Sequence, residues 1–449
     1  MAAVRGRQKP PTTPPPSITS RSGTNAASII QAPVKRSPTT GSSGGGFAPF
    51  TGHRTLVKAG IVGVLGIGVI RFVLLLDLDK RVFNHKPGTC RGIRNLGPLS
   101  GDLEYVPDLA TVFISQPGSR LFEPLNTSTY VGHISILKLE RNEKGEPEVT
   151  SDSLEPVKLR IELGSGSTTF NRTRFLPMGL SVGTAGKRTL VYVVNARGNG
   201  VAAGDGNGGH TTTTTVEVFT YMEKTGTLYH VKTIQHQSFH SLTDIAVLDG
   251  GNRFVAINGF YFGNMYLRYG ELAMQLRSGD LVLYDGKNVK VIDNAIASPM
   301  AVALDKERGY LYVSSFSGET IKAYSIEQDL SIKHVTDVLL MSAPHGLSVD
   351  PKTGDVWTIA QPVMHQTLRQ VWDVYTGGRL KRKTGTPSHV LRIRFQDENR
   401  SSWVLTEPFA NDGTGLPGGT GLAVVTGTLV MTSASKKAVV CEMNNYGIA

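Results

Sequence analysis

The stretch LEYVPDLATVFIS at residues 103–115 decides the fold, because it is the first of six copies of one pattern. Each copy is a short β-rich run, a turn marked by Gly, Asp or Lys, and a second β-rich run, which is typical of a β-hairpin. The other copies are LSVGTAGKRTLVYVV (180–194), DIAVLDGGNRFVAI (244–257), AVALDKERGYLYVS (301–314), LSVDPKTGDVWTI (347–359) and LAVVTGTLVMTS (422–433). Their spacing of roughly 45 to 80 residues leaves room for two further strands per copy, as in a four-stranded propeller blade. The sequence therefore predicts an all-β fold, a six-bladed β-propeller.

The only two cysteines flank this array. Cys90 precedes the first copy and Cys441 follows the last. A bond between them would join the chain ends where a ring must close, and it would stabilise the fold by on the order of 5 kcal/mol. Such a bond requires an oxidising compartment. Two buried free thiols are the alternative.

An apolar segment precedes the array. Residues 59–70 (AGIVGVLGIGVI) carry no charge, and residues 72–76 (FVLLL) continue the run after Arg71. Eighteen helical residues extend about 27 Å, which is close to the hydrocarbon thickness of a bilayer. Because the run starts nearly sixty residues from the N-terminus and ends at charged residues, we expect an uncleaved signal-anchor rather than a secretory signal.

The charge distribution predicts the orientation of this anchor. The net charge is +11, and the first 76 residues hold nine Lys and Arg with no Asp or Glu, so the rest of the chain is nearly neutral. Positive flanks stay cytosolic, which places the propeller in the lumen or outside the cell. A nearly neutral propeller gives no support for nucleic-acid binding. The sequons at Asn126, Asn171 and Asn399 fall on the predicted lumenal side.

These features predict five regions. Residues 1–56 are rich in Pro, Ser, Thr and Gly and form a disordered, basic cytosolic tail. A transmembrane signal-anchor (57–76) and a juxtamembrane linker (77–89) lead to the propeller (90–443), and residues 444–449 are a C-terminal tail. The Gly- and Thr-rich insertion at 198–215 is expected to be a surface loop that is either a contact site or merely tolerated.

Few residues suggest chemistry on their own. There is no H-E-x-x-H pair, C-x-x-C pair or Walker loop. Asp102 and Asp244 are the exception, since each begins a repeat, where propeller blades start beside the central channel. Two carboxylates that converge there could hold a hard cation through oxygen ligands.

Several segments resemble the paraoxonase and arylesterase family. They are DLEYVPDLATVFIS, VYVVN, TTVEVFTYMEKTGTLYHVKTIQHQSFHSLTDIAV after the insertion, LSVDPKTGDVW and KKAVVCEM. The resemblance covers about residues 88–443 and all six repeats. It implies a six-bladed propeller, a closing disulfide between Cys90 and Cys441, and two calcium ions in the central tunnel, one structural and one catalytic.

The resemblance implies different fates for the two calcium sites. The structural ion takes two Asp carboxylates and a backbone carbonyl, which fall on Asp102, Asp244 and Leu180. The catalytic ion takes a Glu, three Asn and an Asp, whose positions here carry no carboxylate, and the histidine dyad is also absent. The degenerate calcium positions are Gly101, Thr243, Pro299 or a neighbour, His345 and Gly346, and the dyad positions are Met178 and Ala196. We therefore expect one structural calcium ion and no esterase activity by the family mechanism.

A membrane-anchored branch of that family has the same layout. The resemblance to it implies an assembly, chaperone or trafficking factor for degenerin and epithelial-type sodium channels, in the membrane of the endoplasmic reticulum, the plasma membrane, or both. A calcium-dependent arylesterase or lactonase is the runner-up. It could use a relocated site that includes His345, Thr243, Asn195 and Asn258. A third alternative is a binder of small hydrophobic molecules, in which Phe260, Tyr261, Phe262, Met265 and Tyr266 resemble the family's substrate lid.

Overall fold

The computed structural model describes residues 52–97, 100–117, 131–164, 170–196, 214–250, 252–262, 265–375, 385–435 and 437–443. Four of the regions predicted above fall outside these ranges, wholly or in large part. They are the cytosolic tail up to residue 51, the sequon residue Asn126, residues 198–213 of the insertion, and the C-terminal tail.

Six antiparallel sheets form the predicted six-bladed propeller. Each of the six hairpin repeats supplies the two innermost strands of one blade, and these inner strands contact one another in a closed ring from blade 1 to blade 6. The strands, from the channel outwards, are Leu103–Val106, Thr111–Gln116, His133–Lys138 and Val157–Lys158 in blade 1; Pro177–Ala185, Arg188–Asn195, Thr215–Met222 and Thr227–Ile234 in blade 2; Leu242–Val247, Phe254–Asn258, Gly279–Tyr284 and Val289–Ile296 in blade 3; Pro299–Asp305, Tyr310–Ser315, Thr320–Ile326 and Ile332–Leu339 in blade 4; Ala343–Val349, Val356–Gln361, Ser388–Phe395 and Trp403–Asn411 in blade 5; and Gly419–Val425, Thr428–Ser433 and Ala438–Glu442 in blade 6.

The hydrophobic core lies between neighbouring blades. Between blades 1 and 2, Phe113 and Ile134 pack against Val191 and Phe219, and all four are fully buried. Each other pair of neighbouring blades has a similar buried cluster. A central strand buried on both faces reads as a continuous apolar run, which is why the second strand of each repeat was recognisable in the sequence.

The two chain ends close the ring in blade 6. The short strand Cys90–Gly92 pairs antiparallel with Ala438–Glu442 and completes a four-stranded sheet. The same register places Cys90 opposite Cys441, and their Sγ atoms form a disulfide. The prediction of a disulfide rather than two free thiols is therefore confirmed.

The part of the chain that the structure describes contains three α-helices. Helix α1 (Gly52–Leu75) contains the predicted anchor, and its segment Val57–Leu75, with mean hydropathy 2.0, is the one described helix that is long and apolar enough to cross a membrane. Helices α2 (Met265–Ala273) and α3 (Met364–Tyr375) connect the second and third strands of blades 3 and 5 and were not predicted. Smaller elements are the 3₁₀ turns Pro107–Leu109, Asp152–Leu154 and Arg172–Arg174, the hairpin Glu140–Arg141 with Pro147–Glu148, and Arg160–Leu163, which adds a parallel fifth strand to blade 2.

The residues after α1 are packed on the propeller. Leu75, at the end of α1, lies in an apolar cluster with Met364 of α3. The Asp77 carboxylate accepts a hydrogen bond from the backbone N–H of Met364, the first residue of α3, at 3.2 Å. Further along, His85 exchanges two backbone hydrogen bonds with Ala410 of blade 5. The segment between anchor and propeller is therefore held to blade 5 along its length.

Candidate metal site in the central channel

The inner strands of blades 1 to 5 surround a cavity of about 340 Å³ on the propeller axis. Alternate residues of an inner strand face the axis, because side chains on a strand have a period of two. The cavity begins at Asp102 and Leu180 and continues past Glu104 and Val182. Two of the three predicted metal ligands, Asp102 and Leu180, thus lie at the channel wall, and the residue after the third, Ile245, also lines the cavity.

Asp102 and Asp244 tie the inner strands of four blades together. The Asp102 carboxylate accepts hydrogen bonds from the N–H of Leu103 (2.8 Å) in blade 1 and of Leu180 (3.0 Å) in blade 2. The Asp244 carboxylate accepts from Ile245 (2.8 Å) in blade 3 and Val302 (2.8 Å) in blade 4. Each carboxylate therefore bridges two blades and is fixed in direction.

The channel concentrates negative charge away from water. Burial raises the pKa of Asp102 to about 6, and burial together with the nearby Asp102 carboxylate raises the pKa of Asp244 well above its usual range. The two carboxyl groups are within hydrogen-bonding reach of each other. Burial and the charge of Asp102 raise the pKa of Glu104 to about 8. Carboxyl groups held this close at low dielectric favour a bound cation or a proton.

Space at the site also favours a cation. A Cβ atom on Gly179 would collide with the Asp244 carboxyl group, so glycine at this position leaves room for that group beside the channel. Carboxylates and backbone carbonyls are the oxygen ligands that calcium prefers. The carboxylates of Asp102 and Asp244 are therefore groups that could hold a calcium ion, and the ligand set with the Leu180 carbonyl stays a prediction.

Glu104 was missed by the sequence analysis, although a signal for it exists. It lies two residues after Asp102, in the strand Leu103–Val106 that follows it, so both side chains are expected on one face. The backbone of Val182 in blade 2 acts to lower the pKa of its carboxyl group, against the effect of burial. The channel thus contains a third acidic group, and the position of Glu104 in the first hairpin repeat could have predicted it.

The positions of the family's catalytic calcium ligands are occupied differently. A Cβ on Gly101 would lie 2.7 Å from the Ser115 hydroxyl, and one on Gly346 would lie 2.5 Å from the Thr420 carbonyl oxygen. The Thr243 hydroxyl donates to the Pro299 carbonyl at 3.1 Å. Neighbouring atoms therefore fill the space that longer ligand side chains would need.

His345 is the one titratable side chain among these positions. Its Nδ1 donates to the Thr420 carbonyl at 3.1 Å, and its ring packs edge-on against Phe316. Burial lowers the pKa of His345 to about 4, so the ring is neutral at pH 7. In this tautomer Nε2 is the acceptor nitrogen.

The other residues of the relocated site are engaged inside their blades. The Asn195 amide accepts from the Leu176 N–H at 2.9 Å and donates to Glu217 at 3.1 Å. The Asn258 amide accepts from the Ser241 N–H at 2.9 Å and donates to Asp280 at 2.7 Å. These bonds assign both amides to internal networks rather than to a ligand in the channel.

At the dyad positions, Met178 packs against the core between blades 2 and 3, and the Ala196 N–H donates to the Leu176 carbonyl. Neither residue has a side chain that can act as a general base.

The predicted lid stretch lies at the start of α2. The backbone N–H groups of Tyr261 and Phe262 donate to the Glu271 carboxylate of α2 at 3.1 and 2.7 Å, and Arg268 stacks over the Phe260 ring. Tyr261 and Phe262 are exposed, and Met265 and Tyr266 form the first turn of α2. The stretch is therefore anchored to α2 and presents aromatic surface outwards.

The structure describes two of the three predicted sequons, and the residues Asn171 and Asn399 are both exposed.

The fold is a disulfide-closed six-bladed propeller with two acidic side chains, Asp102 and Asp244, at the inner ends of its blades. The Arylesterase family model matches residues 82–443, and the chain belongs to that family. It is 29% identical over 378 residues to Mechanosensory abnormality protein 6 of Caenorhabditis elegans, covering 84% of this chain and 92% of the relative. It is 26% identical over 360 residues to Serum paraoxonase/arylesterase 1 of Rattus norvegicus, covering 79% of this chain and 88% of the relative. A luciferin-regenerating enzyme matches with a TM-score of 0.45 and 13% identity, covering 81% of this chain and 98% of that one.

Proposed function

We propose that this chain is a catalytically degenerate member of the arylesterase family that helps membrane proteins to fold, assemble or reach the cell surface. Degenerin and epithelial-type sodium channel subunits are the proposed clients. The observation that carries the proposal is the contrast within the channel: Asp102 and Asp244 are in place, whereas Gly101 and Gly346 leave no room for ligand side chains. A propeller that keeps its framework without its catalytic cage is suited to binding.

The similarity to Mechanosensory abnormality protein 6 supports this proposal, because it extends over 84% of this chain. The candidate membrane helix Val57–Leu75 supports it as well, since it would keep the propeller close to clients that lie in the same membrane.

The proposed orientation has the N-terminus in the cytosol and the propeller in the lumen of the endoplasmic reticulum or outside the cell. The basic residues before the span favour it. The disulfide between Cys90 and Cys441 requires an oxidising compartment, and the exposed sequon residues Asn171 and Asn399 are accessible for glycosylation.

In this proposal the channel holds one structural calcium ion through Asp102, Asp244 and the Leu180 carbonyl. The ion would neutralise the carboxylates that join blades 1 to 4 and so stabilise the ring. Equilibrium dialysis of the purified protein against calcium should give one ion per chain. Asp244→Asn should lose it, whereas Asp329→Asn, a change in an exposed turn, should retain it.

The assembly role is tested by co-expression with degenerin-type channel subunits. Surface biotinylation should show more channel at the cell surface when the full chain is present, and the Asp329→Asn control should act like wild type. Asp244→Asn should act less well, because loss of the ion weakens the propeller. Unchanged surface levels with and without the wild-type chain would refute the role.

A calcium-dependent arylesterase or lactonase is the second candidate, and the family match over residues 82–443 favours it. The neutral His345 ring, with Nδ1 bonded to the Thr420 carbonyl, would supply the base. Ester or lactone turnover that is abolished both by chelation and by His345→Gln would establish this alternative. Turnover equal to that of denatured protein would exclude it.

A further inference from the structure

Blade 5 contains a serine, a histidine and a glutamate in a linear hydrogen-bonded array, away from the channel cavity. The Ser342 Oγ lies 2.7 Å from the His389 Nε2, and the His389 Nδ1 lies 2.6 Å from the Glu407 Oε2. Since Nδ1 donates to the carboxylate, Nε2 is the acceptor for the serine hydroxyl. The three residues come from the start of the inner strand, the third strand and the outer strand of this blade.

We propose that Ser342, His389 and Glu407 form an acyl-transfer site, with Ser342 as nucleophile, His389 as general base and Glu407 as the residue that positions the histidine. The geometry matches the relation of nucleophile, base and orienting carboxylate that activates a serine. This inference goes beyond the proposed assembly role and does not depend on it or on calcium.

A cavity of about 410 Å³ lies against this array and indicates the class of substrate. His389 and Glu407 form one side of it, and Phe83, Met341 and Pro362 supply apolar surface. Arg81, which is exposed, adds a positive charge, and Lys80 adds a second one that is paired with the Asp77 carboxylate at 2.7 Å. Both residues follow the end of the candidate membrane span by a few positions. Apolar walls with Arg81 at the rim, beside a membrane, fit the ester of an anionic lipid.

Lys80 lies beside the peptide that links Met341 to Ser342, since its Nζ donates to the Met341 carbonyl at 2.6 Å. The same Nζ is paired with the Asp77 carboxylate at 2.7 Å. Release of Lys80 from Asp77 would leave a cation near the nucleophile, where it would lower the barrier to acyl transfer. Met341 itself has a φ of 54°, a strained left-handed turn for a non-glycine residue directly before the nucleophile.

The segment between the span and the propeller controls access. Ser342 is 1% exposed and His389 7% exposed. The segment lies over them through Lys80 and through His85, whose Nε2 bonds to the Glu407 carbonyl at 2.8 Å. Substrate must therefore enter as this segment moves, and the segment is joined directly to the membrane helix.

The reaction consists of two balanced steps. The Ser342 Oγ forms a bond to the acyl carbon and its proton passes to the His389 Nε2; the ester C–O bond then breaks, and the proton goes to the leaving alcohol. Water next gives a proton to His389 and attacks the acyl carbon. The bond from that carbon to the Ser342 Oγ then breaks, His389 returns the proton to Oγ, and the carboxylic acid leaves.

The test uses the full-length protein in detergent micelles with a fluorophosphonate probe, which reacts only with activated serines. Wild type should be labelled, and mass spectrometry should place the adduct on Ser342. Ser342→Ala and His389→Gln should lower the labelling rate by about 10³-fold or more, and EDTA should leave it unchanged. His334→Gln is the matched control, since His334 pairs with Asp337 at 2.7 Å in an exposed site and should not alter labelling.

The adduct is mapped on the wild-type protein, so this result does not depend on whether any variant folds. Absence of labelling above that of heat-denatured protein, or an adduct on another serine, would overturn the site. For the substrate class, hydrolysis of lysophosphatidylglycerol should exceed that of lysophosphatidylcholine at least tenfold, a difference of about 1.4 kcal/mol. Equal rates would overturn the assignment to anionic lipids.

Discussion

Removing the disulfide should destabilise the propeller more than any surface change. The bond closes a loop with a sequence separation of 351 residues, for which the chain-entropy relation gives about 6 kcal/mol. The ring is also closed by the pairing of Cys90–Gly92 with the last strand of blade 6 and by the buried apolar cluster between blades 6 and 1. Because whole-domain stabilities are about 5 to 15 kcal/mol, the loss should be a large part of the total.

The assay is urea unfolding, followed by intrinsic fluorescence, of the wild type and of Cys90→Ala, Cys441→Ala and the double variant. All three variants should unfold at similar, lower urea concentrations, because each removes the same crosslink. Wild type treated with dithiothreitol should unfold at the same urea concentration as the variants. Dithiothreitol should not change the urea concentration at which the double variant unfolds. If oxidised and reduced wild type unfold at the same urea concentration, the ring is closed by strand pairing and the reasoning is wrong.

Three further changes test local contacts. Asp77→Ala removes the carboxylate that caps Met364 at the start of α3 and should cost about 1 kcal/mol, seen as faster hydrogen exchange in α3. Asp355→Asn leaves Arg392, its partner at 2.7 Å, without a buried counter-charge and should cost about 3 kcal/mol in urea unfolding. Since the folded pKa of His345 is lowered to about 4, below its usual value, the unfolded chain binds more protons. Stability should therefore fall as the pH drops from 6.5 to 4, and His345→Gln should remove up to about 3 kcal/mol of that fall.

The inner half of every blade was predictable from sequence, and the outer half was not. The second strand of each repeat, such as Thr111–Gln116 or Val356–Gln361, is buried on both faces, so its apolar run stands out after a turn. Outer strands such as Ile332–Leu339 are only partly buried and carry mixed side chains, which weakens the pattern. Helix α3 was missed because it is a single 12-residue element placed within a β-rich repeat, where its 3.6-residue period has little length to show.

The candidate sites also differ in how far the sequence alone can predict them. Asp102 and Asp244 could be predicted as metal ligands because each lies at the inner end of a repeat, where a propeller blade begins beside the central channel. Ser342, His389 and Glu407 come from three different strands of one blade, separated by 47 and 18 residues. No local spacing in the sequence indicates such an array, because only the register of the strands brings these side chains together.

The hydrogen bonds in the channel indicate which of its positions the fold can change. Asp102 and Asp244 each accept hydrogen bonds from backbone N–H groups of two blades, so replacing either would leave buried donors unpaired in the ring. Gly101 and Gly346 make no such bonds through side chains, but a Cβ at either position would lie within 2.7 Å of a neighbouring oxygen atom. The two carboxylates are therefore required by the framework whether or not they bind an ion, whereas the two glycines are required by the space around them.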